Sequence, residues 1–184
     1  LTSALLGIIE GITEFLPISS TGHLILATEA LGIVHTEFQK SFEIIIQLGA
    51  ILAVIVLYWK DLLKFSILKK IAVAFLPTAV VGFTLYPFIK SYLLGNEEVV
   101  LWALLLGGVA LIVFELFHKE TAVATGDIAS MTYKQSALIG LSQAVAIIPG
   151  VSRSAATILG GLLLGLKRVA IVEFSFLLAV PTML

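Results

Sequence analysis

Three clusters in this 184-residue chain have residue types that do chemistry, and all three sit inside apolar sequence. Glu10 and Glu14 are four apart, so on a helix they share one face. Two carboxylates at membrane depth repel each other and need a cation. An arginine would serve, as would Mg²⁺ or Ca²⁺, which prefer carboxylate oxygens. Ser19-Ser20-Thr21-Gly22-His23 follows Pro17 and places three hydroxyls and an imidazole within five residues. His23 can act as general base, general acid or nucleophile near neutral pH, activating Ser20 or taking a proton from water. Ser152-Arg153-Ser154, between Pro149-Gly150 and Thr157, reads as an anion cradle. Arginine forks onto phosphate oxygens, while hydroxyls and helix N-terminal amides add uncharged donors.

Each cluster also has a plainer reading. The two glutamates could be a surface pair at a frayed helix end, although the apolar flanks argue against it. The serine run could simply cap a helix beside a structural histidine. Arg153 could pair with Glu10 or Glu14 for structure alone, a role compatible with phosphate binding. Glu43 and Gln47, four apart at the entry of an apolar span, line a cavity or merely pack, and Glu173 carries the same ambiguity. His35 and Glu37 read as interfacial loop groups and His118 as solvated.

The elements that must hold these clusters are membrane helices. The chain is 59% hydrophobic and 12% charged, with mean hydropathy +1.12; globular domains carry about 25% charge. No basic run interleaves with aromatics, which excludes nucleic acid as a partner. With no cysteine, disulfides, thiolate metal sites and a cysteine nucleophile are excluded. The N-terminus lacks a basic region and carries Glu10 and Glu14, so it is not a signal peptide. Uncharged runs at 44–59, 71–89 and 99–114 predict three spans, with kinks at Pro77 and Pro87, and 170–184 predicts the start of a fourth. Lys60, Lys64, Lys69 and Lys70 mark the cytoplasmic side by the positive-inside rule, and Gly95-Asn96-Glu97-Glu98 falls outside. Tyr58, Trp59 and Trp102 read as interfacial anchors.

Two apolar runs, 1–30 and 135–166, break in their middles at 15–23 and 148–154. Arg153 is the one charge in the second run, so it needs a partner. Such breaks predict re-entrant helix–loop–helix elements, tolerated where protein or a wet cavity surrounds them. At an offset of 133, residues 3–33 match 136–166 at nine positions, including Ser19/Ser152 and Gly32/Gly165, and Glu10 falls on Gln143. The fold expected is all-α: one polytopic integral membrane bundle over 1–184, with inverted-topology repeat halves near 1–60 and 134–184 and two re-entrant segments. Such repeats place their site near the midplane. Because the chain starts and stops inside apolar sequence, it reads as part of a longer protein.

The motifs Glu10-Gly-Ile-Thr-Glu14-Phe-Leu-Pro17-Ile-Ser19-Ser20-Thr21-Gly22-His23 and Pro149-Gly-Val-Ser152-Arg153-Ser154-Ala-Ala-Thr157 closely resemble those of the undecaprenyl-pyrophosphate phosphatase family, also called bacitracin-resistance proteins. The segments 42–50 and 174–178 also look like that family. The resemblance implies a metal-dependent membrane hydrolase that takes the terminal phosphate from a polyprenyl pyrophosphate, recycling the carrier for peptidoglycan synthesis. It further implies a site facing the exterior of the bacterial cytoplasmic membrane, in agreement with the Lys-rich linker.

On this reading Glu10 and Glu14 hold Mg²⁺ or Ca²⁺. Arg153, with Ser19, Thr21, Ser152, Ser154 and Thr157, binds phosphoryl oxygens. Ser20 is the candidate nucleophile with His23 as base, or His23 activates a metal-bound water. The spans form a groove for the prenyl tail. The sequence admits a homodimer without requiring one. The competing class is a transporter or flippase for an anionic lipid, which shares the broken helices and midplane arginine. A carrier has no need of a hydroxyl–imidazole pair beside two carboxylates.

Overall fold

The computed structural model describes residues 2–33, 36–93, 96–119 and 125–184; His35, Gly95 and the side chain of Glu37 lie outside the described residues. Eight α-helices follow in order among them: α1 (Thr2–Thr13), α2 (Ser20–Ala30), α3 (Glu37–Leu62), α4 (Phe65–Tyr92), α5 (Glu97–Phe117), α6 (Tyr133–Gln143), α7 (Arg153–Leu163) and α8 (Arg168–Met183). Short 3₁₀ turns lie at Ile128–Ser130 and Ala144–Ile147, and the described residues contain no β-strand. The caps are legible in sequence. Thr36 and Asn96 accept from the backbone N–H three residues on, and Thr132 with Gln135 forms a reciprocal capping box.

Stretches of α3, α4 and α5 spanning 22, 28 and 21 residues have mean hydropathy of 2.2, 1.8 and 2.5. At about 1.5 Å per residue each is long enough to cross a hydrocarbon core of roughly 30 Å. Their apolar side chains face outward, Phe83 and Phe117 being 87% and 81% exposed, so lipid rather than protein must cover them. The chain is therefore an all-helical membrane protein. α4 runs through Pro77 and Pro87 as one helix, while backbone outside helical geometry occurs at Tyr58 in α3 (φ −109°, ψ 20°).

The segment expected to begin a fourth span forms α8, one of the two most enclosed helices among the described residues. α8 has 16 residues, and Phe174, Ser175, Leu177 and Leu178 are fully buried where α3, α4 and α7 pack around it. The main apolar core lies here, with Ile71 and Ala74 of α4, Ile139 of α6 and Ile158 of α7 against Phe174. α4 and α6 approach so closely that a Cβ on Gly140 would lie 1.8 Å from the Ala74 carbonyl oxygen, and Thr78 donates to the Gly140 carbonyl at 2.7 Å. Lys70, assigned by sequence to the charged linker, is buried, and its Nζ donates to the carbonyls of Ile128 and Ala129 at 2.8 and 2.6 Å. It ties the α5–α6 connection to α4 instead of marking a surface.

Both apolar runs break where Pro and hydroxyl residues interrupt them, giving the packed pairs α1–α2 and α6–α7. The second helix of each pair is the same object displaced by 133 residues. Ser19 and Ser152 cap their N-termini, accepting from Gly22 N and Ala155 N. Their C-termini close identically: Leu31, Gly32 and Ile33 donate to Ala27, Glu29 and Thr28, as Leu164, Gly165 and Leu166 donate to Gly160, Leu162 and Gly161. Gly32 and Gly165 take the left-handed conformation this ending requires, at φ 63° and 79°.

Candidate active site between the two broken segments

The loop after α1 and the N-terminus of α7 meet. Ser154 Oγ donates to the Leu16 carbonyl at 3.2 Å, and Phe15 stands edge-on to Phe176 of α8 at 5.5 Å. This contact brings Arg153 Nη2 to 2.6 Å from Glu14 Oε1 across 139 residues of sequence. Both side chains are largely buried, at 14% and 8% exposed. The charge in the second run therefore finds its counter-charge in the first. The partner is Glu14 alone. Glu10 is 1% exposed, and neither of its carboxylate oxygens has a hydrogen-bond partner.

Ser20, the first residue of α2, donates its hydroxyl to the other oxygen of Glu14, Oε2, at 2.6 Å. Ser20 thus hands its proton toward a carboxylate, and the direct Ser20–His23 hydrogen bond expected from sequence does not form. His23 is held separately. Its Nδ1 lies 2.8 Å from the Ser19 carbonyl. A carbonyl only accepts, so Nδ1 carries a proton, and it is Nε2 that holds the lone pair in the neutral imidazole. Ser19 itself sits at φ 68°, ψ 96°, a conformation that costs an L-residue about 1–2 kcal/mol and is held only by its surroundings.

The remaining hydroxyls divide between the loops. Ser152 and Ser154 lie 3.1 Å apart, and Ser152 also caps α7. Thr21 accepts from Gln47 Nε2 of α3 at 3.5 Å, so Gln47 faces this region, while Glu43 accepts from Gln39 one turn away. Thr157 lies behind Arg153, fully buried, with Oγ1 2.7 Å from Ser175 Oγ. Ser175 is the site residue that sequence reasoning missed. Flanked by phenylalanines in an apolar helix, it reads as packing, yet its carbonyl accepts from Arg153 Nη1 at 2.9 Å. Elsewhere, His118 stacks on Phe114 at 4.6 Å.

Two cavities flank the loop contact. One of about 210 Å³ is lined by Glu14, Ser20, Thr21, Gln47, Arg153 and Ser154. The other, about 700 Å³, runs between α2, α5, α6 and α7 and is walled mostly by Leu, Ala and Gly, with His23 at its edge. Ser19, Val151 and Ser152 line both, so a polar chamber and an apolar one share a wall. This arrangement suits an amphiphile with an anionic head and a long hydrocarbon tail.

The donor set also suits a hard divalent cation. Glu10 offers two buried oxygens without partners, one turn from Glu14. No group of three or more His, Asp or Glu converges among the described residues. Mg²⁺ characteristically takes one or two carboxylates and completes its shell with substrate phosphate and water.

The sequence profile described as Bacitracin resistance protein BacA matches residues 3–184. Among similar proteins, one from Aquifex aeolicus named undecaprenyl-diphosphatase is 54% identical over 182 residues, covering 98% of this chain and 71% of the relative. Proteins of the same name from a Sulfurihydrogenibium species and from Bdellovibrio bacteriovorus are 54% and 51% identical, each over all of this chain and 72% and 70% of their own lengths. With its two motifs meeting across 139 residues and its whole described fold inside that match, this chain belongs to the bacitracin resistance protein BacA family.

Proposed function

We propose that this protein is an undecaprenyl-diphosphatase: it hydrolyses undecaprenyl pyrophosphate to the monophosphate and inorganic phosphate, returning the lipid carrier to peptidoglycan synthesis and opposing bacitracin. The observation that carries the reading is the continuous chain Arg153–Glu14–Ser20, with both links at 2.6 Å, beside a polar chamber joined to an apolar one. The pyrophosphate occupies the polar chamber. The tail enters the larger cavity and leaves sideways into lipid.

In this mechanism Arg153 binds the terminal phosphoryl group and balances charge as it builds in the transition state. Ser20 Oγ attacks phosphorus, its proton passes to Glu14, and the P–O bond to the prenyl monophosphate breaks. Water then cleaves the phosphoserine, giving its proton to His23 Nε2. Ser19 orients that imidazole through its carbonyl. Ser152, Ser154 and Thr21 are the hydroxyl donors nearest the phosphate, and Thr157 supports Arg153 from behind. Glu10 and Glu14 would hold Mg²⁺ or Ca²⁺, and the ion would supply positive charge against the pyrophosphate. A lipid carrier without chemistry would gain nothing from a serine donating to a buried carboxylate.

For the architecture, we read α1–α2 and α6–α7 as re-entrant hairpins of an inverted repeat. Helices of 11 or 12 residues cover about half of a bilayer, and three spans between the pairs reverse their direction. Lys60, Lys64 and Lys69, at the α3–α4 turn, put that turn in the cytoplasm of a bacterial inner membrane, with the hydrolytic site open to the exterior.

Phosphate release from a polyprenyl pyrophosphate in detergent tests this reading. Release by the wild type and none by Ser20→Ala or Arg153→Ala is expected; a well-folded wild type that binds the lipid without releasing phosphate, with or without divalent metal, would reverse it. His23→Ala should lower kcat more than it raises KM.

A further inference from the structure

Arginine carries five N–H donors in a rigid plane with two edges that can grip an oxyanion, Nη1–Nη2 and Nε–Nη2. In Arg153 the donors are committed unevenly. Nη1 donates to the Ser175 carbonyl at 2.9 Å and lies 3.4 Å from its hydroxyl. Nη2 donates to Glu14 Oε1 at 2.6 Å and weakly to Met183 Sδ at 3.7 Å. Nε is buried and has no partner, and a buried donor left unpaired in a native fold calls for an explanation.

The hydroxyls behind the guanidinium order themselves. Nη1 has no lone pair, so Ser175 Oγ accepts from it and passes its own proton to Thr157 Oγ1 at 2.7 Å. Thr157 in turn donates to the carbonyls of Arg153 and Ser154 at 3.1 and 3.0 Å. The Ser175 proton goes to Thr157, the one Thr157 proton is shared between the two carbonyls, and both residues are fully buried. Neither is left to meet substrate; their task is to fix the guanidinium.

We infer that Ser175 is a positioning residue that commits Nη1 to α8, so that the Nε–Nη2 edge of Arg153 is the one that receives the substrate's phosphate. Two phosphate oxygens accept from Nε–H and Nη2–H in parallel. Nη2 carries two protons: one stays on Glu14, and a phosphate oxygen takes the other from the weak acceptor Met183 Sδ. The unpaired Nε–H is then the donor reserved for substrate. This inference rests on the reading of Arg153 as the phosphate-binding residue.

The chain contains two arginines, Arg153 and Arg168, and Arg168 is half exposed and paired with Glu115. In a ¹⁵N-arginine-labelled sample in detergent, the Arg153 and Arg168 Nε–H signals are assigned as those lost in Arg153→Lys and in Arg168→Lys. The probe is a farnesyl methylenediphosphonate, which cannot be hydrolysed. On titration, the Arg153 Nε–H should move downfield while Arg168 stays in place. Ser175→Ala keeps the carbonyl but removes the hydroxyl that accepts from Nη1 and donates to Thr157; it should shrink that shift and raise KM about tenfold, the size of one hydrogen bond to a charged group. A variant that merely lost folded protein would keep the KM of what survives. Movement of the Arg153 Nη signals with Nε unmoved would overturn the edge assignment, and a wild-type KM in Ser175→Ala would overturn the positioning role. If phosphorus signals report binding while no Arg153 nitrogen responds, the phosphate-binding reading itself fails.

Discussion

Ser20 and Arg153 each open the second helix of a broken pair, 133 residues apart, and they sit on opposite sides of one carboxylate. The frames around them are alike, with a serine cap before and a left-handed glycine after. The contents differ. In the first loop Ser19 is held at φ 68°, and Glu10 is buried with both oxygens unpaired. In the second, Ser152 is relaxed at φ −71°. Gln143, the counterpart of Glu10, is equally buried; its amide nitrogen donates to Thr78 and Thr182 at 3.0 and 3.3 Å, while its Oε1 has no partner. One copy carries negative charge and backbone strain; the other carries the counter-charge on a relaxed backbone. A repeated frame thus supplies position twice, while reactivity is concentrated in one copy. Strain kept at a site and offset by the surrounding structure is a common sign of function.

The sharpest way to break this asymmetry is to remove the cross-link. Arg153→Ala should abolish phosphate release, a loss of at least about a thousandfold, because it removes the phosphate donor and strands Glu14. Arg153→Lys should still lose about a hundredfold, since a point charge cannot fork. Glu10→Gln makes the first loop resemble the second. Turnover should fall about a hundredfold, and stimulation by added Mg²⁺ or Ca²⁺ after chelation should vanish with it. Retained stimulation would take Glu10 out of the metal site.

Smaller effects sharpen the comparison through stability. Ser19→Gly should leave the thermal midpoint unchanged or raise it, because relief of the positive φ offsets the lost cap. Ser152→Gly has no strain to relieve and should lower it slightly. Smallest of all is the difference between Gly32→Ala and Gly165→Ala: each should cost about 1 kcal/mol, and the two costs should agree within a few tenths if the frames are equivalent.

Much of this was legible before any coordinates. Uninterrupted apolar runs located α3, α4 and α5, and Pro17 and Pro149 with their hydroxyl neighbours located both breaks. The cost of a lone membrane arginine required a partner for Arg153. What escaped depends on packing directions that spacing does not carry. Four-residue spacing puts Glu10 and Glu14 on one face, and the Glu14 N–H still donates to the Glu10 carbonyl at 2.9 Å, but spacing does not say that Glu14 is the one that meets Arg153. Residues 170–184 are as apolar as a span, and nothing in their composition says that α8 is enclosed by protein instead of lipid. Ser175 and Lys70 escaped for a related reason: each acts on or through backbone carbonyls of a distant segment, which sequence neighbours do not reveal.

The 139-residue separation of Arg153 from Glu14 has a consequence for biosynthesis. Glu14 enters the membrane early in translation, and its counter-ion follows only after five more helices, α2 to α6, have been made. Through that interval the first loop holds two carboxylates in an apolar setting without their arginine. Contacts of such range are formed late and slowly. A chain that stops short of α7 therefore lacks the arginine on which turnover is proposed to depend, and one that stops short of α8 lacks the carbonyl that holds it.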